Sequence, residues 1–343
     1  MKEDKILRIM FFNRKKSKFV FSIESLFSDL ENSVYKLTNK FRIYKRFNLF
    51  RSKGIILRFI DTLIASFSQK DINHVTGDTH YLTFFLDPKK TILTIHDCGI
   101  LKNSNGIKYF LYYFLWFWIP EKKVTFITVI SENTKLELLK YLGCNPDKIK
   151  VIYNPVSDSF KKAEKIFNKK CPRILHIGFT KNKNLINHIN AIKDLNCNFV
   201  IIGKPSDAEI KIMNLYKIEF SIYNNLSKKE IVQKYIDSDI ILFASLYEGF
   251  GMPIVEAQSV GRPVVTSYRE PMIEIAGKEG ASFVDPEDYK SIREGLLKVI
   301  YEDNFRNKLI KYGYENVKKF SLEKITKQYL DLYREIDIRN KKI

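Results

Sequence analysis

Two carboxylates, Glu248 and Glu256, flank a glycine-rich turn in the run Ser245-Leu-Tyr-Glu-Gly-Phe-Gly-Met-Pro-Ile-Val-Glu-Ala257, with seven residues between them. The apolar run just before it, Ile240 to Ala244, reads as a buried strand. After Pro253 the spacing turns helical, and Gly261-Arg262-Pro263 ends the helix. Proline suits a first helical turn, whose N–H groups have no intrahelical partner. The unit is strand, glycine-rich loop, helix, with free backbone donors and a positive dipole end at the loop. Such places bind anions and hydroxyl-rich ligands. The N–H groups of Gly249, Phe250, Gly251 and Met252 are the expected donors, glycine allowing close approach.

Other chemistry-bearing residues follow apolar runs in the same way. In open parallel sheets ligands bind beyond the carboxyl ends of the strands. His96-Asp97 follows Thr91–Ile95, Ser131-Glu132 follows Phe126–Ile130, and Gly178 to Asn184 follows Arg173–Ile177. Gly203-Lys204 follows Asn198–Ile202, and Glu248 follows Ile240–Ala244. Lys183-Asn184 is expected to open a helix, where a cation and N-terminal amides can meet one diphosphate. Asp237-Ser-Asp239 has the spacing of a divalent-metal site but precedes its strand. It therefore lies at the opposite sheet end from Glu248 and is rejected as a catalytic metal site.

Short apolar runs alternating with helical stretches predict an α/β protein with parallel sheets. The expected strands are Ile6–Phe12, Asn73–Thr76, Thr91–Ile95, Phe126–Ile130 and Lys150–Tyr153 in the first half. In the second half they are Arg173–Ile177, Asn198–Ile202, Ile240–Ala244, Val264–Thr266 and Ala281–Val284. The polar, lysine-rich segment 157–170 reads as a linker between domains at 1–156 and 171–320. Residues 321–343 read as a final helix, with Ser321 as N-cap and Glu323 in its first turn.

The 343 residues carry 58 Lys and Arg against 39 Asp and Glu, a net +19. Residues 1–150 hold 26 of those cations and 14 of the anions, a net +12. Between Asn32 and Ile60 stand eight basic residues (Lys36, Lys40, Arg42, Lys45, Arg46, Arg51, Lys53, Arg58) and no acidic one. Interleaved with Phe41, Ile43, Tyr44, Phe47, Leu49 and Phe50, residues 36–58 suit an anionic leaflet or a solvated face. The Tyr109–Trp118 segment joins that surface or is a buried helix. Nucleic acid is not expected, since no binding motif accompanies the charge. Cys98, Cys144, Cys171 and Cys197 have no paired or metal-type spacing, which suits reduced thiols in a cytoplasmic protein. No secretory signal is evident, and no apolar run reaches the ~20 residues that cross a bilayer.

The Glu-x7-Glu pattern with its Glu-Gly-Phe-Gly core resembles the signature of the retaining nucleotide-sugar glycosyltransferases of family 4. The resemblance covers most of the chain and is strongest from Arg173 to Thr266. It implies an α/β protein of GT-B fold, two Rossmann-like doubly wound parallel-sheet domains facing a central cleft. It implies transfer of a hexose-type sugar, with retention, from a nucleotide-sugar donor to a saccharide or lipid-linked acceptor, with neither metal nor other cofactor. The setting by family habit is surface-polysaccharide assembly, in the cytoplasm or peripherally on the inner face of the plasma membrane. A sugar-nucleotide epimerase and a catalytically silent membrane- or polyanion-binding protein are the alternatives.

By the same resemblance, Lys183 contacts the donor phosphates, Glu256 accepts from the ribose hydroxyls, and Glu248 lies near the transferred sugar. His96 faces the reacting sugar, so the implied catalytic set is His96, Glu248 and Lys183. Gly178, Lys181, Asn184, Gly203, Gly249, Phe250 and Gly251 complete the implied donor site. The strand-end position of Thr76-Gly-Asp-Thr-His80, and not the resemblance, assigns Asp78 and His80 to the acceptor. The last helix returns to the first domain in relatives. Two departures stand out. Phe179 occupies the place of an arginine that many relatives carry, so the partner cation is Lys181 or is missing. The loop Asn13-Arg-Lys-Lys-Ser-Lys18 has no glycine where relatives carry a Gly-Gly turn, so basic side chains replace amides there or the loop serves the acceptor.

Overall fold

The computed structural model describes residues 6–15, 22–50 and 54–341. Of the residues singled out above, Lys16, Ser17, Lys18, Arg51 and Lys53 lie outside the described residues. The chain divides into two compact units, 1–155 with 322–343, and 156–321.

The first unit is built on six parallel strands: β1 (Leu7–Asn13), β2 (Phe41–Phe47), β3 (Ile72–Val75), β4 (Thr91–Ile95), β5 (Phe126–Val129) and β6 (Ile149–Val151). Their order is β2-β1-β3-β4-β5-β6. The second unit holds β7 (Arg173–Ile177), β8 (Asn198–Ile202), β9 (Glu219–Tyr223), β10 (Ile240–Phe243), β11 (Val264–Ser267) and β12 (Ser282–Val284). Their order is β12-β11-β10-β7-β8-β9, again all parallel. The inner strands β3, β4, β5, β10 and β11 are buried at every position. That burial is the reason they show no alternation of buried and exposed residues, since helices cover both faces of a parallel sheet.

Two strands escape the sequence reading, and both are sheet edges. β2 is the sequence Phe-Arg-Ile-Tyr-Lys-Arg-Phe, in which Phe41 and Ile43 enter the core and Arg42 is exposed. β9 carries no fully buried residue. An edge strand needs only one apolar face, so its pattern is weak. The β2 assignment also places several of the cations of residues 36–58 against partners. Lys45 is paired with Glu31, Arg46 donates to Ser68 Oγ at 2.6 Å, and the Arg58 guanidinium lies 4.5 Å from the Trp116 ring centroid. Among the described cations of this segment, Lys36, Lys40, Arg42 and Lys45 are exposed.

Residues 157–170 form neither helix nor strand and belong to the second unit. Phe160 is buried there, and Ala163 N–H donates to Val260 O. The helix Leu322–Lys341 belongs to the first unit. Its Tyr329, Tyr333 and Ile336 are buried, and the Tyr333 hydroxyl shares a 2.8 Å hydrogen bond with His74 Nδ1 on β3.

Candidate functional site

A doubly wound sheet leaves a crevice where its strand order reverses, outside the carboxyl ends of the two strands that flank the reversal. In the second unit these strands are β7 and β10, adjacent through Ile240↔Ile174 and Ile241↔Leu175. The loops that leave them carry Gly178 to Asn184 and Ser245 to Gly251. The residues singled out on these two loops are thus brought together by topology alone.

The two loops are laced together. Leu246 N–H donates to Asn182 O at 2.8 Å, and Asn182 Nδ2 donates to Tyr247 O at 2.9 Å. Lys183 Nζ lies 2.6 Å from Glu248 Oε1, with both side chains largely shielded from water. The ammonium also sits 4.9 Å from the Phe243 ring centroid. Gly178 adopts φ 107°, and a Cβ there would fall 2.6 Å from Lys183 Cγ, so glycine is what lets the lysine stem lie across the loop.

Asn184 takes a left-handed conformation and caps the helix Leu185–Ile192. Its Nδ2 donates to Ala244 O and Pro286 O, so its side chain is a buried brace. Behind it, His176 and His188 share an Nδ1–Nδ1 hydrogen bond of 2.9 Å. Their other nitrogens face Gly178 O and Ala244 O, and burial holds the His176 imidazole down to about 4. Lys181 is exposed at the loop surface, as is Phe179. Gly203 closes the floor, its Cα so near Gly178 that a Cβ would lie 2.8 Å from Gly178 O.

Glu256 sits on the helix Met252–Val260, which Gly251 opens in a left-handed conformation. The buried Tyr235 hydroxyl donates to Glu256 Oε2. Burial pushes the Glu256 carboxyl up to about 7, against the opposing pull of the Tyr235 hydroxyl and the charges of Lys228 and Lys183. Phe250 is expected to act through its backbone N–H. Its ring is buried against Phe320, with centroids 5.7 Å apart, so it offers only backbone to the loop. Asp239, the metal-like residue set aside above, accepts from Asn168 N–H and Arg173 N–H and pairs with Lys165.

In the first unit the order reverses between β1 and β3. The loop after β3 places Asp78 at φ 52° with its side chain exposed, and Arg14 bridges Asp78 and Glu24. Arg14 is therefore already engaged by two carboxylates. His96, beyond β4, points Nε2 at Thr76 O, 2.8 Å away. The N–H on Nε2 donates there, so a neutral ring keeps its lone pair on Nδ1. Gly77 makes room for this ring, since a Cβ would lie 2.5 Å from it. His80 is a correction. It is buried, its Nδ1 donates to Trp116 O, and its ring packs edge-on to Phe117, so it has nothing to offer an acceptor.

Comparison with known proteins gives the family and the fold. Residues 28–160 match the family described as Glycosyltransferase Family 4, and residues 157–316 match Glycosyl transferases group 1. An uncharacterised glycosyltransferase of Methanocaldococcus jannaschii is 30% identical over 261 residues, 71% of this chain and 68% of that protein. The chain belongs to the family 4 glycosyltransferases. This glycosyltransferase is also 35% identical to the O-antigen chain mannosyltransferase B of Escherichia coli over 100 residues. That match spans 29% of this chain and only 26% of the mannosyltransferase. Among solved structures, Anabaena HepE in complex with UDP and glucose superimposes with a TM-score of 0.77 at 13% identity, covering 96% of this chain and all of that one. The fold of this glycosyltransferase is GT-B, two parallel six-stranded sheets with interleaved helices.

Sequence reasoning missed Tyr235 and Arg14 as partners of site carboxylates. Tyr235 lies in an ordinary helical pattern, and only its spatial neighbour gives it meaning. Arg14 was visible as a cation, but its two carboxylate partners are 10 and 64 residues away.

Proposed function

We propose that this glycosyltransferase moves a hexose-type sugar, with retention, from a nucleotide-sugar donor to a saccharide or lipid-linked acceptor in surface-polysaccharide assembly. The observation that carries the donor side is the Lys183–Glu248 pair at the strand-order reversal of the second sheet. A departing nucleoside diphosphate needs its developing charge stabilised by preorganised donors, and Lys183 with the N–H groups of Gly249 to Met252 can do this without a metal. Glu248 and Glu256 serve as acceptors for sugar and ribose hydroxyls, with Gly178 and Gly203 giving the diphosphate backbone access. In the first unit, His96 is assigned to the reacting sugar and the exposed Asp78 to the acceptor. The HepE complex with UDP and glucose and the O-antigen mannosyltransferase match support the substrate classes.

The test is a thermal-shift screen of UDP-, GDP- and ADP-sugars, followed by incubation of the best donor with and without saccharide and lipid-linked acceptors in EDTA. Acceptor-dependent product with the donor's anomeric configuration is expected by NMR. Interconversion of the sugar without any acceptor would instead identify an epimerase. Inversion, or loss of activity in EDTA, would overturn retention or metal independence respectively.

Membrane docking rests on the first unit's surface. No helix among the described residues is long and apolar enough to cross a membrane. Ile55, Ile56, Phe59, Leu63 and Phe67 are nonetheless exposed along one segment, and Ile107, Phe110, Leu111, Phe114 and Trp118 along another. The second set recurs at helical spacing, and the Arg58–Trp116 contact joins the two segments. We expect cosedimentation with vesicles containing anionic lipid, weakened but not abolished by salt because the contact is partly apolar. Phe110→Glu should reduce binding at both salt concentrations. Equal recovery of both proteins in the supernatant would remove the membrane from this account.

A further inference from the structure

Glu256 is one side chain on one helix, and a ribose diol is a demanding ligand. Both hydroxyls must meet carboxylate oxygens held at a fixed angle, and the carboxylate must be ionised to accept from both. Nothing on the helix Met252–Val260 itself fixes the side chain. The fixing group comes from a neighbouring helix.

Tyr235 lies in the last turn of the helix Lys228–Asp237. That helix is anchored at its start by a capping box of Ser227 with Glu230. At its end, Arg262 Nη2 donates to Ile236 O at 2.8 Å, tying it to the chain just beyond the Glu256 helix. The Tyr235 ring is entirely buried and meets the Phe160 ring edge-on, with centroids 5.3 Å apart. Phe160 is held in turn, because Ser259 Oγ, on the Glu256 helix, donates to its carbonyl. The tyrosine thus has no freedom to leave, and its hydroxyl donates to Glu256 Oε2.

We propose that Tyr235 is a positioning residue for the ribose-binding carboxylate, its hydroxyl fixing Oε2 of Glu256 so that Oε1 and the remaining lone pair of Oε2 face the diol. This rests on the reading of Glu256 as the ribose carboxylate. The hydrogen bond has a second consequence, because a donor to a carboxylate favours its ionised form. Burial opposes ionisation and leaves the carboxyl near 7, while burial also keeps the Tyr235 hydroxyl protonated and able to donate. The other charges acting on Glu256 are Lys228, from the Tyr235 helix, and Lys183, from the loop after β7, and both favour the carboxylate. Nucleotide binding to the ionised form therefore strengthens as pH rises through about 7. Without the tyrosine hydroxyl that rise moves to higher pH.

The experiment titrates UDP, GDP and ADP into the full chain by calorimetry between pH 5.5 and 9, using the tightest of the three for the variants. Wild type is expected to tighten about tenfold from pH 6 to pH 8, as one ionisation requires. Tyr235→Phe, which removes a single oxygen, is expected to shift the midpoint upward by roughly one unit. Its affinity should return to within about twofold of wild type at pH 9, where the carboxylate is ionised without help. Glu256→Gln should bind weakly with no such step. A Tyr235→Phe curve with the wild-type midpoint, whether at full affinity or lowered uniformly across pH, overturns the positioning role. If Glu256→Gln instead keeps wild-type affinity and its pH step, the ribose reading of Glu256 is what fails. Should Tyr235→Phe not fold, Glu256→Asp withdraws the carboxylate from the hydroxyl while leaving the ring in place. The same upward shift is expected there, and an unmoved midpoint counts against the proposal.

Discussion

Lys183→Met is expected to lower kcat for sugar transfer by about two to three orders of magnitude, the cost typical of losing one preorganised donor to a developing anion. The methionine keeps an unbranched stem, so the stem packing against Gly178 survives and the change isolates the ammonium. Nucleoside diphosphate affinity should fall less steeply, by about 10- to 100-fold, as for a lost charge-assisted hydrogen bond. The same change leaves Glu248 shielded from water without its counter-ion, 2.6 Å from where the ammonium was. A modest loss of thermal stability is therefore expected, about 1–3 kcal/mol. Adding Glu248→Gln to Lys183→Met should recover most of that stability and none of the activity. Steady-state kinetics and thermal unfolding of the four proteins in this cycle separate the two effects. A Lys183→Met enzyme that keeps its kcat would remove Lys183 from leaving-group stabilisation.

What made the site legible in the sequence was the strand-end rule acting on buried strands. β4, β7, β8 and β10 are buried throughout their middles because helices cover both sheet faces, so their ends are sharp. The polar residues just past those ends, His96, Gly178, Lys183, Gly203 and Glu248, are placed by that sharpness alone. Edge strands β2 and β9 lacked it, and neither is among the strands expected from the sequence. Partnerships were the other gap. That Lys183 bonds Glu248 across 65 residues, that Tyr235 bonds Glu256, or that Arg14 is already neutralised by Glu24 and Asp78, depends on which strands become neighbours. Residue type at a strand end says what a side chain can do. Only the sheet order says which partner has already engaged it. His80 shows the same limit from the other side: it sits a few residues beyond β3 but turns inward to the Trp116 carbonyl.

Glu248→Gln is expected to do two opposite things. Lys183 is bonded to Glu248, so a diphosphate that recruits the ammonium must first separate that pair. It then leaves an ionised carboxylate beside a phosphate anion, a like-charge contact worth several kcal/mol before screening at an effective dielectric of about 20. A nucleotide sugar can relieve the contact, because its sugar hydroxyls donate to the carboxylate. A nucleoside diphosphate without its sugar has no such donors. Glutamine removes the repulsion and the ion pair together, at nearly constant shape. UDP, GDP or ADP, whichever the enzyme prefers, should therefore bind about three- to tenfold more tightly to Glu248→Gln, equivalent to roughly 1 kcal/mol. The matching nucleotide sugar should gain nothing or lose affinity, and transfer should fall by about 100-fold or more, because the lost acceptor served the sugar in the transition state. Wild-type discrimination in favour of the nucleotide sugar over the bare diphosphate would then narrow or invert, which also makes product release slower in the variant. Calorimetric titration of both ligands into both proteins at one pH measures this directly. If Glu248→Gln weakens the diphosphate and the nucleotide sugar by the same factor, Glu248 contributes to holding the loop and not to telling donor from product.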